Sequence, residues 1–135
     1  LQNQSAIRYH SDTHNNFVYD DTRDRWLLFC RPRAYAGDHK RRVSLQTSAD
    51  LRTWTHERTI LVPDEADTAE FYGMTVFRRG DLFFGILQNY DRESGFMTPE
   101  LRWSADGEHW DRVATHPVWI ERGAEGEWDH GMVMP

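Results

Sequence analysis

The sequence has only one cysteine, Cys30, so no disulfide can form within the chain. Cys30 lies in an apolar stretch and is expected to pack as a small core residue. No apolar run reaches the roughly 18 residues that a membrane-spanning helix needs. Basic residues form no block, and the formal net charge is −6. We therefore predict that neither nucleic acid nor a membrane is a partner.

A sustained helical period is also missing, so the sequence gives no support for a long amphipathic helix. Short stretches rich in Val, Ile, Thr and aromatic residues alternate instead with turn sequences such as DTRD, RRGD and SADG. This alternation is typical of short β-strands joined by tight turns. The sequence therefore predicts an all-β fold built from antiparallel strands.

A seven-residue motif occurs twice and divides the predicted strands into two sets of four. It reads SADLRTW over residues 48–54 and SADGEHW over residues 104–110. The final tryptophans, Trp54 and Trp110, lie 56 positions apart. A four-stranded unit repeated at about this period is typical of a β-propeller blade. A β-sandwich is the competing interpretation, but a sandwich needs no internal repeat.

We predict one partial β-propeller domain over residues 1–135. Its first blade covers about 12–63, its second covers about 70–121, and the start of a third covers 128–135. The first residue is not Met and the sequence stops within the apolar stretch GMVMP. We therefore expect the chain to be cut from a longer protein. Blades bury their apolar faces on their neighbours, so two blades alone should be marginally stable.

The repeated motif is expected to form the turn between the third and fourth strands of each blade. Asp50 and Asp106 can accept bonds from backbone N–H groups in that turn. Trp54 and Trp110 would then start the fourth strand and cover the joint between sheets. The motif is therefore predicted to be structural, not catalytic.

The pattern Ser-x-Asp-x-x-x-Trp resembles that of five-bladed β-propeller glycoside hydrolases, families 43 and 32 and their uncharacterised glycosyl-hydrolase-like relatives. The likeness includes NNFVYDDTRDRWLLFCRPR, SLQTSADLRTWTHERTILVPDEAD and EFYGMTVFRRGDLFFGIL. It implies a five-bladed propeller, of which this chain forms about two blades and the start of a third. It also implies hydrolysis of glycosidic bonds, with carbohydrate as the substrate.

An acidic residue opens the first strand of each set: Asp12, Glu70 and Asp129. First strands line the channel of a propeller, so we expect these three acids to meet at one mouth. Glycoside hydrolysis uses a carboxylic acid as proton donor and a carboxylate as base or nucleophile. Clustered carboxylates raise one another's pKa, which would help to keep the donor protonated. The alternative is that each acid simply bonds backbone groups at the mouth.

The resemblance implies specific roles for two of these acids. Glu70 would be the general acid, and Asp12 would tune that acid or stabilise the transition state. The base or nucleophile would then lie upstream of this sequence, and Asp129 has no counterpart in the resembled families.

Polar and aromatic side chains beside these acids, and in the loops after each second strand, are candidate sugar contacts. Arg, Asn and His bond hydroxyl groups, and Tyr stacks on a sugar ring. The candidate substrate-binding residues are His14, Asn15, Arg31, Tyr72, Asn89 and His130, with Arg33, Tyr35, Tyr90 and Asp91 as further loop candidates.

The sequence contains no Gly-rich phosphate loop, no closed histidine spacing and no serine nucleophile elbow. We therefore predict no cofactor and no metal. Two rival functions stay open. One is a glycoside phosphorylase of similar fold, in which Arg31 and Arg33 could hold phosphate. The other is a non-catalytic propeller that binds glycans or proteins.

Overall fold

The computed structural model describes residues 15–33, 37–64, 67, 69–113 and 118–134. These residues form two four-stranded antiparallel sheets, and they contain no helix that could cross a membrane. Strands follow chain order in each sheet, which confirms the all-β prediction. The first sheet consists of β1 (Asn16–Asp20), β2 (Arg25–Cys30), β3 (Val43–Ser48) and β4 (Arg58–Leu61). The second sheet consists of β5 (Glu70–Arg79), β6 (Leu82–Tyr90), β7 (Met97–Ser104) and β8 (Asp111–Arg112).

The core lies between the two sheets and takes apolar side chains from both. Leu27 and Phe29 on β2 are buried against a cluster that includes Phe71 and Leu87 of the second sheet. Burial of each such side chain contributes roughly 1.5–3 kcal/mol. Cys30 is buried as well, as predicted. The two sheets are therefore joined face to face by one apolar layer.

The first strands of the two sheets, β1 and β5, are neighbours in space. The side chain of Asn16 bridges them, because its Oδ1 accepts a bond of 2.9 Å from the backbone N–H of Val76. A side chain thus satisfies a backbone donor of β5 that faces the adjacent sheet. This contact keeps the two first strands side by side, as successive blades require.

The two motif copies form the same hydrogen-bonded corner, which confirms their predicted structural role. Ser48 Oγ accepts from the backbone N–H of Leu51 at 2.9 Å, and Ser104 Oγ accepts from that of Gly107 at 2.8 Å. Asp50 Oδ1 and Asp106 Oδ1 each accept from two backbone N–H groups farther along the turn. The repeat in sequence is thus a repeat of one local bonding pattern.

The motif tryptophans are placed differently from each other. Trp110 is buried and meets Phe29 of the first sheet edge-on, with ring centroids 5.8 Å apart. It covers the joint between sheets, as predicted. Trp54 is half-buried and lies near Phe17 of its own sheet, with ring centroids 6.5 Å apart. Trp110 contacts the sheet that precedes its own, and the described residues contain no sheet before the first, so the placement of Trp54 stays a prediction.

The segment 118–134 lies along the start of β7. The backbone N–H of Met97 donates to Gly131 O at 3.1 Å, and the N–H of Val133 donates to Met97 O at 3.1 Å. A parallel bridge links Met97 to Met132. Residues 131–133, within the predicted start of a third blade at 128–135, thus contact β7, and the predicted blade limits remain predictions.

Candidate functional site

Glu70 is the first residue of β5 and its carboxylate is bound by two arginines. Oε2 accepts from the backbone N–H of Arg41 at 3.0 Å and from Arg41 Nη1 at 2.9 Å. Oε1 lies 2.5 Å from Arg92 Nε. The backbone N–H of Phe71 donates in turn to Arg41 O at 3.1 Å. The loop between β2 and β3 is therefore hydrogen-bonded, through Arg41, to the first two residues of the adjacent sheet.

The pKa of Glu70 is lowered in this setting. Burial would raise the pKa, since only 6% of the side chain is exposed. The bonds from the Arg41 backbone, Arg92 and the Arg41 side chain outweigh burial and lower it overall. This direction is opposite to the one that we expected for a general acid. Glu70 is therefore held as a carboxylate near neutral pH.

Two tyrosines and two arginines form a cluster of edge-on aromatic and cation–π contacts beside Glu70. The rings of Tyr72 and Tyr90 meet edge-on with centroids 5.7 Å apart. Arg31 Cζ lies 4.8 Å from the centroid of Tyr72, and Arg41 Cζ lies 5.5 Å from Tyr72 and 5.2 Å from Tyr90. Arg31 Nη2 also donates to Tyr72 O at 3.4 Å. Such stacking fixes the guanidinium planes.

Tyr72 lies at a β-bulge in β5. In the pairing of β5 with β6, Glu70 lies opposite Tyr90 and Phe71 lies opposite Asn89. The next pair is Gly73 opposite Gln88, so the register shifts by one residue. Tyr72 is the extra residue at that shift. Bulges re-aim side chains and are common beside active sites. Glu70 and Tyr72 both contact the side chain of Arg41 at this end of the strand.

Asn89 is not brought to Glu70. It is buried and its Nδ2 donates to Glu100 Oε2 at 3.0 Å. Successive residues of a strand point to opposite faces, so Asn89 faces away from its neighbour Tyr90. Glu100 also accepts from Arg112 Nη1 at 2.8 Å. Asn89 thus belongs to a buried polar network within the second sheet.

Asp129 and His130 lie in the segment that contacts β7. The ring of His130 meets Phe96 edge-on with centroids 5.2 Å apart, and its Nδ1 lies 3.4 Å from Gly123 O. Asp129 lies against Gly123, because a Cβ atom added to Gly123 would be 2.0 Å from the Oδ1 atom of Asp129. No contact in the described part of the chain joins either residue to Glu70.

Asp12, His14 and Tyr35 lie outside the described residues. Asn15 and Arg33 are exposed, and the Arg33 backbone N–H donates to Glu57. Asp91 caps its own loop through Ser94 and the backbone of Glu93.

Sequence reasoning missed Arg41 and Arg92, which hold Glu70. Both lie in the long loops that were predicted to rim the pocket, but an arginine in a polar loop carries no signal of its own. Among the residues that the structure describes, no group of three or more His, Cys, Asp or Glu side chains could hold a metal ion.

No protein-family model and no curated protein matches this sequence, but solved structures do. An N-acetylgalactosamine deacetylase from F. plautii, in complex with blood group B trisaccharide, is 26% identical over 87% of this chain, with a TM-score of 0.71. A family 117 glycoside hydrolase of the marine bacterium Zobellia galactanivorans is 12% identical over 87%, with a TM-score of 0.70. An endo-arabinase from Bacteroides thetaiotaomicron is 10% identical over 78%, with a TM-score of 0.61.

The chain spans 33%, 41% and 36% of the lengths of these three structures. The likeness, together with the two four-stranded antiparallel sheets, identifies an all-β fold of the propeller type.

Proposed function

We propose that this chain forms part of a carbohydrate-active enzyme that hydrolyses glycosidic bonds, and that the complete propeller has five blades. The observation that carries the proposal is a buried, ionised carboxylate, Glu70, beside the rings of Tyr72 and Tyr90, which meet edge-on. A carboxylate next to aromatic surface suits a sugar, whose hydroxyl groups donate and whose ring faces are apolar. The fold shared with a family 117 glycoside hydrolase and an endo-arabinase supports a carbohydrate substrate.

We assign Glu70 a role in its ionised form, because its surroundings lower its pKa. As a carboxylate it can stabilise the positive charge that develops on the sugar, or act as base towards water. The proton for the leaving oxygen would come from another carboxyl group, for which Asp12 and Asp129 remain the proposed candidates. Arg31 and Tyr72 are the proposed substrate contacts beside Glu70, and His14, Asn15, Asn89 and His130 stay predictions.

Replacing Arg92 should reveal which protonation state of Glu70 is active. Arg92→Gln removes a group that lowers the pKa of Glu70, so that pKa should rise. If the carboxylate is the active form, the acidic limb of the profile of kcat/KM against pH moves to higher pH. Movement of the basic limb instead would show that Glu70 acts as the proton donor. Arg58→Gln, which removes a similarly exposed arginine that binds Glu108, should leave both limbs in place.

A second function is favoured by one comparison. The N-acetylgalactosamine deacetylase from F. plautii is 26% identical to this chain over 87% of its length. Deacetylation is also a hydrolysis, but it breaks an amide bond and leaves the glycosidic bond intact. Glu70 as an ionised base towards water would serve that reaction equally well.

The two reactions separate by their products. The protein is incubated with neutral and N-acetylated oligosaccharides, with and without phosphate, while reducing ends and free acetate are both measured. New reducing ends without phosphate are the result expected for the glycosidase. Acetate without reducing ends would move the assignment to the deacetylase, and cleavage that requires phosphate would move it to a phosphorylase. Binding without any product would leave a glycan-binding propeller.

A further inference from the structure

We propose that the site around Glu70 takes a carbohydrate bearing a negatively charged group, a carboxylate or sulfate ester on the sugar, and that Arg41 and Arg92 bind that group. This inference rests on the proposed function in one respect, that the ligand is a carbohydrate. It does not depend on which bond is hydrolysed.

The charge balance at the site carries the first step. Arg41 and Arg92 share a single carboxylate, Glu70, so together they carry one more positive charge than Glu70 neutralises. The chain as a whole has a net charge of −6, so this local excess of positive charge is opposite in sign to the net charge. A positive excess at a pocket raises the local concentration of anions.

Among the described residues, the acids next to Arg92 in the chain do not cancel this excess by contact with the two arginines. Asp91 and Glu93 lie in the same loop as Arg92. The carboxylate of Asp91 is bound to Ser94 Oγ at 2.8 Å and to the backbone N–H of Glu93 at 2.9 Å. Both residues are exposed, so water screens their charges. The two arginines therefore keep a net attraction for an incoming anion.

Donor capacity is the second step. Each guanidinium has several N–H donors in one plane, a geometry that matches two oxygens of a carboxylate or sulfate. Among the described contacts, the Arg41 side chain donates only through Nη1, to Glu70. Arg92 binds Glu70 through Nε and His39 O through Nη2. Both side chains thus keep donors that a ligand can use.

Rigidity and access are the third step. Arg41 lies against the rings of Tyr72 and Tyr90, so little rotational freedom remains to be lost when an anion binds. Its side chain is 27% exposed and that of Arg92 is 60% exposed. One arginine is therefore fixed by stacking and the other is open to solvent at the rim. This arrangement suits an anionic group carried by a bound sugar.

The test compares charged and neutral forms of the same sugars by titration calorimetry. One pair is a galacturonate tetrasaccharide and its methyl ester, and the other is a sulfated galactan tetrasaccharide and its desulfated form. We expect a charged member to bind at least about 10-fold more tightly than its neutral partner, as charge-assisted hydrogen bonds would give. The ratio should shrink as salt is added.

Variants and free anions then locate the effect. Arg92→Gln should reduce the ratio between charged and neutral forms to about threefold or less, whereas Arg58→Gln should preserve it. Equal binding of charged and neutral sugars, or no binding of either, would overturn the inference even if hydrolysis of a neutral sugar is found. Inorganic sulfate or phosphate that binds as tightly as the charged sugar would overturn it too, and would indicate a site for the free anion.

Discussion

Glu70→Gln is expected to slow turnover of the carbohydrate substrate by about 100-fold or more, since an acid or base group contributes roughly 10²–10⁴-fold. The amide keeps the shape of the side chain but carries no charge, and it can neither accept a proton at neutral pH nor neutralise Arg41. Initial rates of product release at saturating substrate give the comparison. Equal rates for the two proteins would remove Glu70 from the reaction.

The chain offers a matched control at the opposite end of the sheets. Glu108, like Glu70, joins two arginines, with Arg25 Nη1 at 2.8 Å from its Oε1 and Arg58 bound to its Oε2. Its pKa is also lowered, because the bonds from Arg25 and Arg58 outweigh burial. Glu108→Gln removes an equivalent ion-pair bridge far from the site. It should preserve turnover, and a loss equal to that of Glu70→Gln would mean that the effect is structural.

Gly107→Leu should lower the free energy of unfolding by about 3 kcal/mol or more. Gly107 has a φ of 75°, which costs an L side chain energy, and an added Cβ would lie 2.5 Å from Leu27 Cδ1 in the core. The milder Gly107→Ala, which meets the same two obstacles with a smaller group, should lose about 2 kcal/mol. Urea unfolding followed by tryptophan fluorescence measures both, since Trp110 lies in the same corner.

The equivalent position of the first corner should respond in the opposite direction. Leu51 has a φ of 59° and its side chain is 48% exposed. Leu51→Gly relieves the backbone strain and gives up little packing, so stability should rise by about 0.5 kcal/mol. A loss comparable to that of Gly107→Ala would show that the left-handed backbone at residue 51 carries no strain. The pair thus separates backbone strain from crowding in two copies of one turn.

The fold was largely predictable from sequence because its signals are local. Turn residues, strand-length apolar stretches and the repeated Ser-x-Asp corner each involve residues close together in the chain, and the corner bonds span only two or three residues. Apart from the register shifts in β3 and β5, the register within each sheet follows once the turns are placed.

The site was less predictable because its contacts are distant in sequence. Arg41 reaches Glu70 across 29 positions, and nothing in the loop sequence marks it. The pKa direction of Glu70 depends on that contact, so the sequence alone indicated the wrong direction. Asn89 was expected beside Tyr90 in a loop, but β6 extends through Tyr90. Because successive side chains of a strand point to opposite faces, Asn89 lies on the face opposite to that of Tyr90.

The bonds between the β2–β3 loop and the start of β5 affect how a protein of this kind can diversify. Glu70 takes its partners from both repeats, so the site belongs to the joint between them and to neither one. Duplication of a single repeat would copy the Ser-x-Asp corner intact, but it would create a new joint with a new pairing of loops. Each joint can then acquire its own specificity while the corners stay constant. An ancestral repeat could therefore multiply without passing on any one chemistry.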